Sequence, residues 1–319
     1  MRKIICFIML GLLGIFFSGC DLIPQPMKDQ LENKENNAPD NMQRIEPTLS
    51  VYMHETGETK QMKLEEYLAG VVAGEMKNDW QIEALAAQAI IARTFTLQAF
   101  EKGELTKEGT NASTDIKEFQ AYNASAINDN VRQAVQMTRG KIATYQAIPI
   151  MGWFHASAGG QTAMAKEGLE YKNEEPPFIQ SVASPDDMAP DDVKSWTATF
   201  PVSDVIKKLE ELGKSVTTIS SVAIGNKGVS GRATTILFNG NVEVSAPKLR
   251  LALGSTKLKS MLLDSVALNG NEITFKGTGY GHGVGMSQWG AQKMATDGKT
   301  ADEIVKYYFK DIKIEKRWE

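Results

Sequence analysis

Cysteine and histidine are scarce in this chain, and their scarcity excludes several kinds of chemistry. The 319 residues include two cysteines, Cys6 and Cys20, and both lie within the first twenty positions. The remainder of the chain therefore has no thiol for a disulfide, a thiolate metal ligand or a cysteine nucleophile. The chain has three histidines, His54, His155 and His282, and therefore few ligands for a histidine-based metal centre.

Long runs of basic residues are also missing, and the formal net charge is −4. A nucleic-acid partner is not expected from such a sequence, because nucleic-acid binding surfaces are basic. No pattern points to a cofactor. The length of the chain allows a sizeable core in one or two domains.

The N-terminus has the pattern of a targeting segment. Two basic residues precede the apolar run Ile4–Phe17, which is short for a spanning helix and has the length of a signal peptide core. The sequence FSGC at 17–20 resembles a bacterial lipobox, in which Cys20 would carry the lipid. A retained signal anchor is the alternative. Both interpretations predict a membrane anchor and a body on the extracytoplasmic face of the cell membrane.

Residues 21–48 are polar, charged and interrupted by proline. This composition cannot bury enough apolar surface to fold, so it predicts a disordered tether. A flexible chain of this length spans roughly 30 Å root-mean-square. The body at 49–319 is thus expected to reach a wall layer close to the membrane.

The body combines helix and strand patterns. Apolar residues at three- and four-residue spacings over 64–72 predict a helix that ends at Gly74. An alanine-rich second helix, capped by Asn78 or Asp79, is predicted to run to about Phe100. Strand patterns with Gly/Asn turns predict a β-rich supporting subdomain inserted at about 200–270. The predicted fold class is α+β, with mixed helices and short strands around a cleft.

The segment Gly277–Gln292, GTGYGHGVGMSQWGAQ, has glycine at every second position from 277 to 285. Period two is the strand period, so one face of an extended segment would carry no side chain. A bare face suits a ligand or a backbone that approaches closely. The segment therefore predicts one wall of a ligand cleft. A tight internal turn with a buried Trp289 is the alternative.

Glu75 lies between the two predicted helices. Burial there would raise the pKa of its carboxyl towards that of a general acid, whereas an exposed glutamate at a helix end is the alternative. Arg93 is the natural structural ion-pair partner for such a carboxylate if it is not a site residue. His155 and Ser157 follow a predicted strand and indicate a site edge, although a lone histidine is more often structural.

Four segments, in order along the chain, together resemble the sporulation stage II protein D family, whose wider group includes amidase-enhancer proteins. They are YLAGVVAGEM at 67–76, ALAAQA at 84–89 with ARTF at 92–95, FHASAGG at 154–160, and YGHGVGMSQWGAQ at 280–292. The resemblance covers nearly the whole body. It implies a lytic transglycosylase that acts during engulfment on peptidoglycan glycan strands stripped of stem peptides by an amidase partner.

The resemblance also implies roles for individual residues. Glu75 matches the family's catalytic acid/base. The positions implied to bind substrate are Gln88, Arg93, Tyr122, His155, Ser157, His282, Ser287 and Gln288, and Tyr280 and Trp289 are expected to pack on a sugar face. Some members bind zinc through cysteines, which this body lacks, so no metal is expected. Ala156 stands where a hydroxyl residue is common.

A single carboxylate suits this reaction. Ordinary glycosidases use two, one as acid and one as nucleophile or base, but the 6-hydroxyl of N-acetylmuramic acid can attack its own C1. Intramolecular attack also lowers the entropic cost of the step. Two other hypotheses stay open. In the first, the protein is a non-catalytic wall-binding partner that recruits or enhances an amidase. In the second, His155 and His282 join a carboxylate to bind a metal for hydrolysis.

Overall fold

The computed structural model describes residues 45–319. The predicted signal segment, Cys20 and residues 21–44 of the predicted tether lie outside this range. Glu46 already packs on the body, since it pairs with Arg139 and accepts the Glu65 backbone N–H at 3.0 Å. Within the described range, every helix is too short or too polar to cross a membrane.

The fold class is α+β, as predicted from the sequence. The helices of the described range are α1 (Leu64–Glu75), α2 (Ile82–Lys102), α3 (Asp129–Met137), α4 (Ala165–Leu169), α5 (Asp191–Lys194), α6 (Val202–Glu211), α7 (Ala246–Leu253), α8 (Gln288–Thr296) and α9 (Ala301–Tyr308). The strands are β1 (Thr48–Met53), β2 (Glu58–Lys63), β3 (Ala112–Ser113), β4 (Lys141–Tyr145), β5 (Ile148–Pro149), β6 (Phe154–His155), β7 (Trp196–Pro201), β8 (Val222–Ile224), β9 (Thr235–Phe238), β10 (Val242–Ser245), β11 (Leu263–Asn269), β12 (Glu272–Gly277), β13 (Met286–Ser287) and β14 (Lys313–Lys316).

The strands form small, separate sheets in the orders β2-β1-β3, β14-β4-β5, β13-β6, β11-β12-β7 and β10-β9-β8. Most neighbours are antiparallel, but β13 and β6 run parallel and pair Ser287 with His155. That pairing joins two segments far apart in the sequence. It places the start of α8 beside the strand exit at 154–157.

The first hydrophobic core surrounds α2, which packs against α1, α3, α8 and α9. Its alanines at 84, 86, 87, 89 and 92 are buried and let neighbouring helices approach closely. The predicted capping of α2 is wrong, because Gln81 precedes the helix without a side-chain cap. Asn78 instead donates its amide to the Ala126 carbonyl at 2.8 Å.

The second hydrophobic core draws its buried residues from Trp196 to Phe275. It lies between the sheets β11-β12-β7 and β10-β9-β8 and is covered by α6 and α7. Alternating burial along β9 and β12 shows why these segments form strands with one inward face.

Candidate active site

Glu75 is the last residue of α1, and two glycines of that helix determine its surroundings. A Cβ at Gly70 would lie 2.1 Å from the Tyr122 ring, and one at Gly74 would lie 2.7 Å from the Tyr122 backbone nitrogen. The segment Ala121–Tyr122 can therefore lie directly on the helix. This contact brings the Ala121 N–H to 2.8 Å from Glu75 Oε1.

The Glu75 carboxyl lies in a largely desolvated position. Burial raises its pKa from the ordinary 4.5 to about 7, although the hydrogen bonds from Ala121 and Gln288 act in the opposite direction. At neutral pH the group is therefore present in both protonation states. A carboxyl with this property can donate a proton and later accept one.

Gln288 opens α8 directly after β13 and faces Glu75. Its Nε2 lies 3.4 Å from Glu75 Oε2 and 3.4 Å from Gln88 Oε1. Gln88 is fully buried on α2, and its own Nε2 has no hydrogen-bond partner among residues 45–319. We refer to Glu75, Gln88 and Gln288 as the carboxylate cluster. It combines residues from three helices.

An aromatic pair lies next to the carboxylate cluster. The rings of Trp80 and Trp289 are 4.4 Å apart at an interplanar angle of 52°, and the Lys77 ammonium lies 5.6 Å from the Trp289 ring centre. Both tryptophans are partly exposed. The sequence pattern singled out Trp289 but not Trp80. The one sequence feature that could have indicated Trp80 is its position five residues after Glu75, in the connection between α1 and α2.

Asp186 was also missed, and it binds two of the serines that were predicted. Its carboxylate accepts the hydroxyls of Ser157, Ser184 and Ser287 at 2.7–2.9 Å and the Gly159 N–H at 2.7 Å. Ser157 and Ser287 are 1% and 0% exposed. The structure thus places these serines in a buried hydrogen-bond network that joins β6 to β13.

The prediction of an extended glycine segment with one bare face is wrong. Gly279, Gly281, Gly283 and Gly285 have φ angles of 77°, 113°, 85° and 75°, which lie in the left-handed region and not in the strand region. A Cβ at Gly281 would lie 2.6 Å from the Cβ of His155. The glycines therefore make room for the protein's own chain. The positive φ angles fit the internal turn of the alternative interpretation, but Trp289 is partly exposed and not buried as that alternative held.

Of the two histidines, His282 lies within the glycine-rich segment and His155 lies directly against it at Gly281. His155 Nδ1 lies 3.2 Å from the Val284 carbonyl oxygen, to which it donates, and the His155 and His282 rings are 5.5 Å apart. Burial lowers the pKa of both rings, that of His282 to about 3, so both are neutral at pH 7. No hydrogen bond or ion pair between described residues links either ring to Glu75. Across residues 45–319 no group of three metal-ligating side chains occurs.

Three further predicted residues have other surroundings. Arg93 is fully buried and forms a two-point ion pair with Glu65, with nitrogen–oxygen distances of 3.0 and 2.7 Å. Tyr122 stacks on Tyr67 with ring centres 5.8 Å apart, next to Glu75. The backbone of Tyr280 pairs with that of Ser157. The structure therefore brings Glu75, Gln88 and Gln288 into contact, with Tyr122 beside Glu75 through Ala121 and Trp289 directly after Gln288 in α8.

Comparison with known proteins finds relatives over most of the described chain. The family description "Stage II sporulation protein" matches residues 52–145, and a "Domain of unknown function" description matches residues 168–285. The stage II sporulation protein D of Bacillus subtilis is 33% identical over 84% of this chain and 78% of its own length. That of Bacillus amyloliquefaciens is 32% identical over 84% of this chain and 81% of its own length. An amidase enhancer of Bacillus subtilis is 29% identical over 76% of this chain and 39% of its own length.

These relatives define a class of sporulation-related proteins that the chain resembles over most of its length. The chain belongs to the stage II sporulation protein D family.

Proposed function

We propose that this protein acts on the cell wall during sporulation and that it is a peptidoglycan lytic transglycosylase with Glu75 as its catalytic acid/base. The observation that carries the proposal is the Glu75 carboxyl at the end of α1, whose burial raises its pKa to about 7. A general acid is most effective when its pKa lies near the working pH. The names of the relatives support the sporulation role.

The reaction needs one proton to move to the substrate and one to return. Protonated Glu75 donates its proton to the glycosidic oxygen as the bond from that oxygen to C1 of N-acetylmuramic acid breaks. The 6-hydroxyl of the same sugar forms a new bond to C1, and its proton goes to the Glu75 carboxylate. The products are a 1,6-anhydro end and a free 4-hydroxyl on the departing N-acetylglucosamine.

The neighbours of Glu75 fit this double role. The Ala121 N–H at 2.8 Å holds one carboxyl oxygen, and the Gln288 amide at 3.4 Å from the other stabilises the ionised form that follows proton donation. Attack by a hydroxyl of the same sugar makes a second catalytic carboxylate unnecessary. The Trp80–Trp289 pair offers an apolar surface on which a sugar ring can pack.

The N-terminal segment fits a protein that works outside the cytoplasmic membrane. In this proposal Cys20 carries the lipid that anchors the body to the membrane, with a signal anchor as the alternative. An amidase that removes stem peptides would supply the peptide-free strands. The product of the amidase would then be the substrate of this protein.

A second candidate function is that of a non-catalytic partner that enhances an amidase. It is favoured by the relative named amidase enhancer, which is 29% identical. In that case Glu75 would shape a glycan groove, and cleavage of glycan would not depend on it.

Product analysis separates the two candidates. Full-length protein is incubated with purified peptide-free glycan strands, and in parallel a purified amidase acts on intact peptidoglycan with and without the protein. A transglycosylase is expected to produce anhydro-ended fragments, which mass spectrometry identifies as one water lighter than hydrolysis products. Intact strands together with a faster amidase would establish the enhancer function instead.

A further inference from the structure

A cavity of about 100 Å³ lies beside the glycine-rich turn, and none of the residues of the carboxylate cluster lines it. Helices α4 and α7, Met261 and the Gly281-His282 peptide line it. Leu251, which also lines the cavity, is 66% exposed, so the cavity reaches the protein surface there. Nothing in the proposed reaction at Glu75 uses this space.

Two buried arginines line the cavity. Arg232 and Arg250 are 1% and 9% exposed, and among the described residues both donate hydrogen bonds only to neutral oxygens. Those of Arg232 belong to Gln161, Ser230 and Ala158, and those of Arg250 belong to Lys259 and Ser255. A buried cation without an anionic partner is costly, because desolvation is not repaid by an ion pair.

The two arginines differ in the negative charge that surrounds them. Burial lowers the pKa of each arginine to about 10, so both remain charged at neutral pH. Glu167 contributes one negative charge, but its carboxylate is bound to the N–H and hydroxyl of Ser230 and reaches Arg232 only through that hydroxyl. His282 is neutral at pH 7. Both Glu167 and Asp186 raise the pKa of Arg232, whereas neither carboxylate acts on Arg250. Arg250 is therefore the arginine with which an added anion would pair.

Arg250 has donors to spare for such an anion. Its Nε donates to the Lys259 carbonyl at 3.0 Å and its Nη2 to the Ser255 carbonyl at 3.3 Å, while Nη1 donates to no described residue. Guanidinium groups recognise carboxylates through paired donors on one edge. A carboxylate is also small enough for a cavity of this volume.

We propose that this cavity binds the lactyl carboxylate of a muramoyl residue in a peptide-stripped glycan strand. The proposal rests on the proposed function, because an attached stem peptide turns this carboxylate into a neutral amide and adds bulk. The cavity therefore selects strands from which the peptide has been removed. Such a strand carries a lactyl carboxylate on every second sugar, so a strand bound at Glu75 offers further carboxylates along its length.

A short series of contacts connects the two sites. Gln288 touches Glu75, the preceding residue Ser287 pairs with His155 between β13 and β6, and the His155 ring is 5.5 Å from that of His282 at the cavity wall. The two sites are therefore connected through the paired strands β13 and β6. A strand bound at one site is positioned relative to the other.

The test measures binding without cleavage. Full-length protein carrying Glu75→Gln is titrated calorimetrically with peptide-free strands and with the same strands after their lactyl carboxyls are converted to methyl esters. The free-acid strands are expected to bind at least tenfold more tightly. Arg250→Gln in the same background is expected to abolish this preference, whereas the matched control Arg132→Gln, at an exposed position on α3, retains it.

Equal affinity of the Glu75→Gln protein for acid and ester strands would overturn the proposal, and that comparison does not depend on the folding of an arginine variant. A preference that survives Arg250→Gln would place carboxylate recognition elsewhere and overturn it too. If sodium acetate binds with an Arg250-dependent affinity while both strands bind alike, the cavity takes a free small carboxylate and the strand assignment is wrong. Because binding is read without cleavage, failure to detect anhydro products would count against the proposed function alone.

Discussion

The side-chain amide of Gln288 lies 3.4 Å from the carboxylate of Glu75, although 213 positions separate the two residues in the chain. The pairing of β13 with β6 holds Gln288 in place at the start of α8. The left-handed glycines before β13 make that pairing possible, because they let the chain pass directly against 153–157. The glycine-rich segment therefore contributes to the site indirectly, because it allows the strand pairing that fixes the position of Gln288.

Replacement of Gln288 should change the pH dependence of cleavage. The Gln288 hydrogen bond lowers the pKa of Glu75, so Gln288→Leu should raise this pKa, since the ionised carboxylate loses a donor. We expect the pH at which kcat/KM falls on the alkaline side to move upward by about half a unit. Gln292→Leu is the control, because Gln292 accepts the Gln81 N–H instead. An unchanged midpoint in Gln288→Leu would show that Glu75 does not govern this limb.

Glu75→Gln should stabilise the protein at and above neutral pH. The pKa of Glu75 is raised from 4.5 to about 7 on folding, so between these values the native state binds more protons than the unfolded state, and stability falls as the pH rises. Glu75→Gln has no ionisable group at this position, so its stability does not fall for this reason as the pH rises. We expect its advantage in the free energy of unfolding to be near zero below pH 4.5, to grow between pH 4.5 and 7, and to level off at on the order of 3 kcal/mol. Urea unfolding at several pH values measures it, and a pH-independent difference would contradict the raised pKa.

Arg93 should matter for stability and not for substrate. Arg93→Met leaves the buried Glu65 carboxylate without its cation, which should cost about 3–5 kcal/mol. The double variant Glu65→Met with Arg93→Met should recover much of this loss, because no buried charge is left unpaired. Arg132→Met is the exposed control, with an expected change below about 0.5 kcal/mol. An increase in KM in the double variant, without loss of folded protein, would instead place Arg93 in substrate binding.

Asp186 should act as a structural centre for the segments around the site. Asp186→Asn replaces one acceptor oxygen with an amide donor, which opposes donors from Ser157 and Gly159 or from Ser184 and Ser287. We expect a loss of about 2 kcal/mol in the free energy of unfolding. The exposed neighbour Asp187 provides the control Asp187→Asn, with little expected change. Equal thermal unfolding midpoints for the two variants would contradict this role.

The sequence predicted the helical part of the fold well because helical packing has a clear sequence signal. Apolar spacing identified α1, and the alanine-rich pattern identified α2. The glycine-rich segment was misread because glycine at every second position satisfies the strand period and also permits left-handed turns. The spacing of glycines alone does not distinguish an extended strand from a chain with left-handed turns.

The candidate site was predictable where a residue belongs to a recognisable motif. Glu75, Gln88 and Gln288 lie in segments that resemble the family, and the structure brings them together. Trp80 and Asp186 lie in connecting loops without periodicity, and their partners come from distant parts of the chain. Such contacts arise only when the sheets and helices pack, so no local sequence pattern predicts them.

The central claim is that Glu75 transfers protons during glycan cleavage without water as the nucleophile. The most direct measurement compares full-length wild-type protein with Glu75→Gln on purified peptide-free strands, with the product ends identified by mass spectrometry. Unfolding curves for both proteins establish that the variant is folded. The account predicts anhydro-ended fragments from the wild type and a loss of at least about a thousandfold in rate for the variant. Anhydro-ended fragments at similar rates from both proteins, or reducing-end fragments from the wild type, would contradict it.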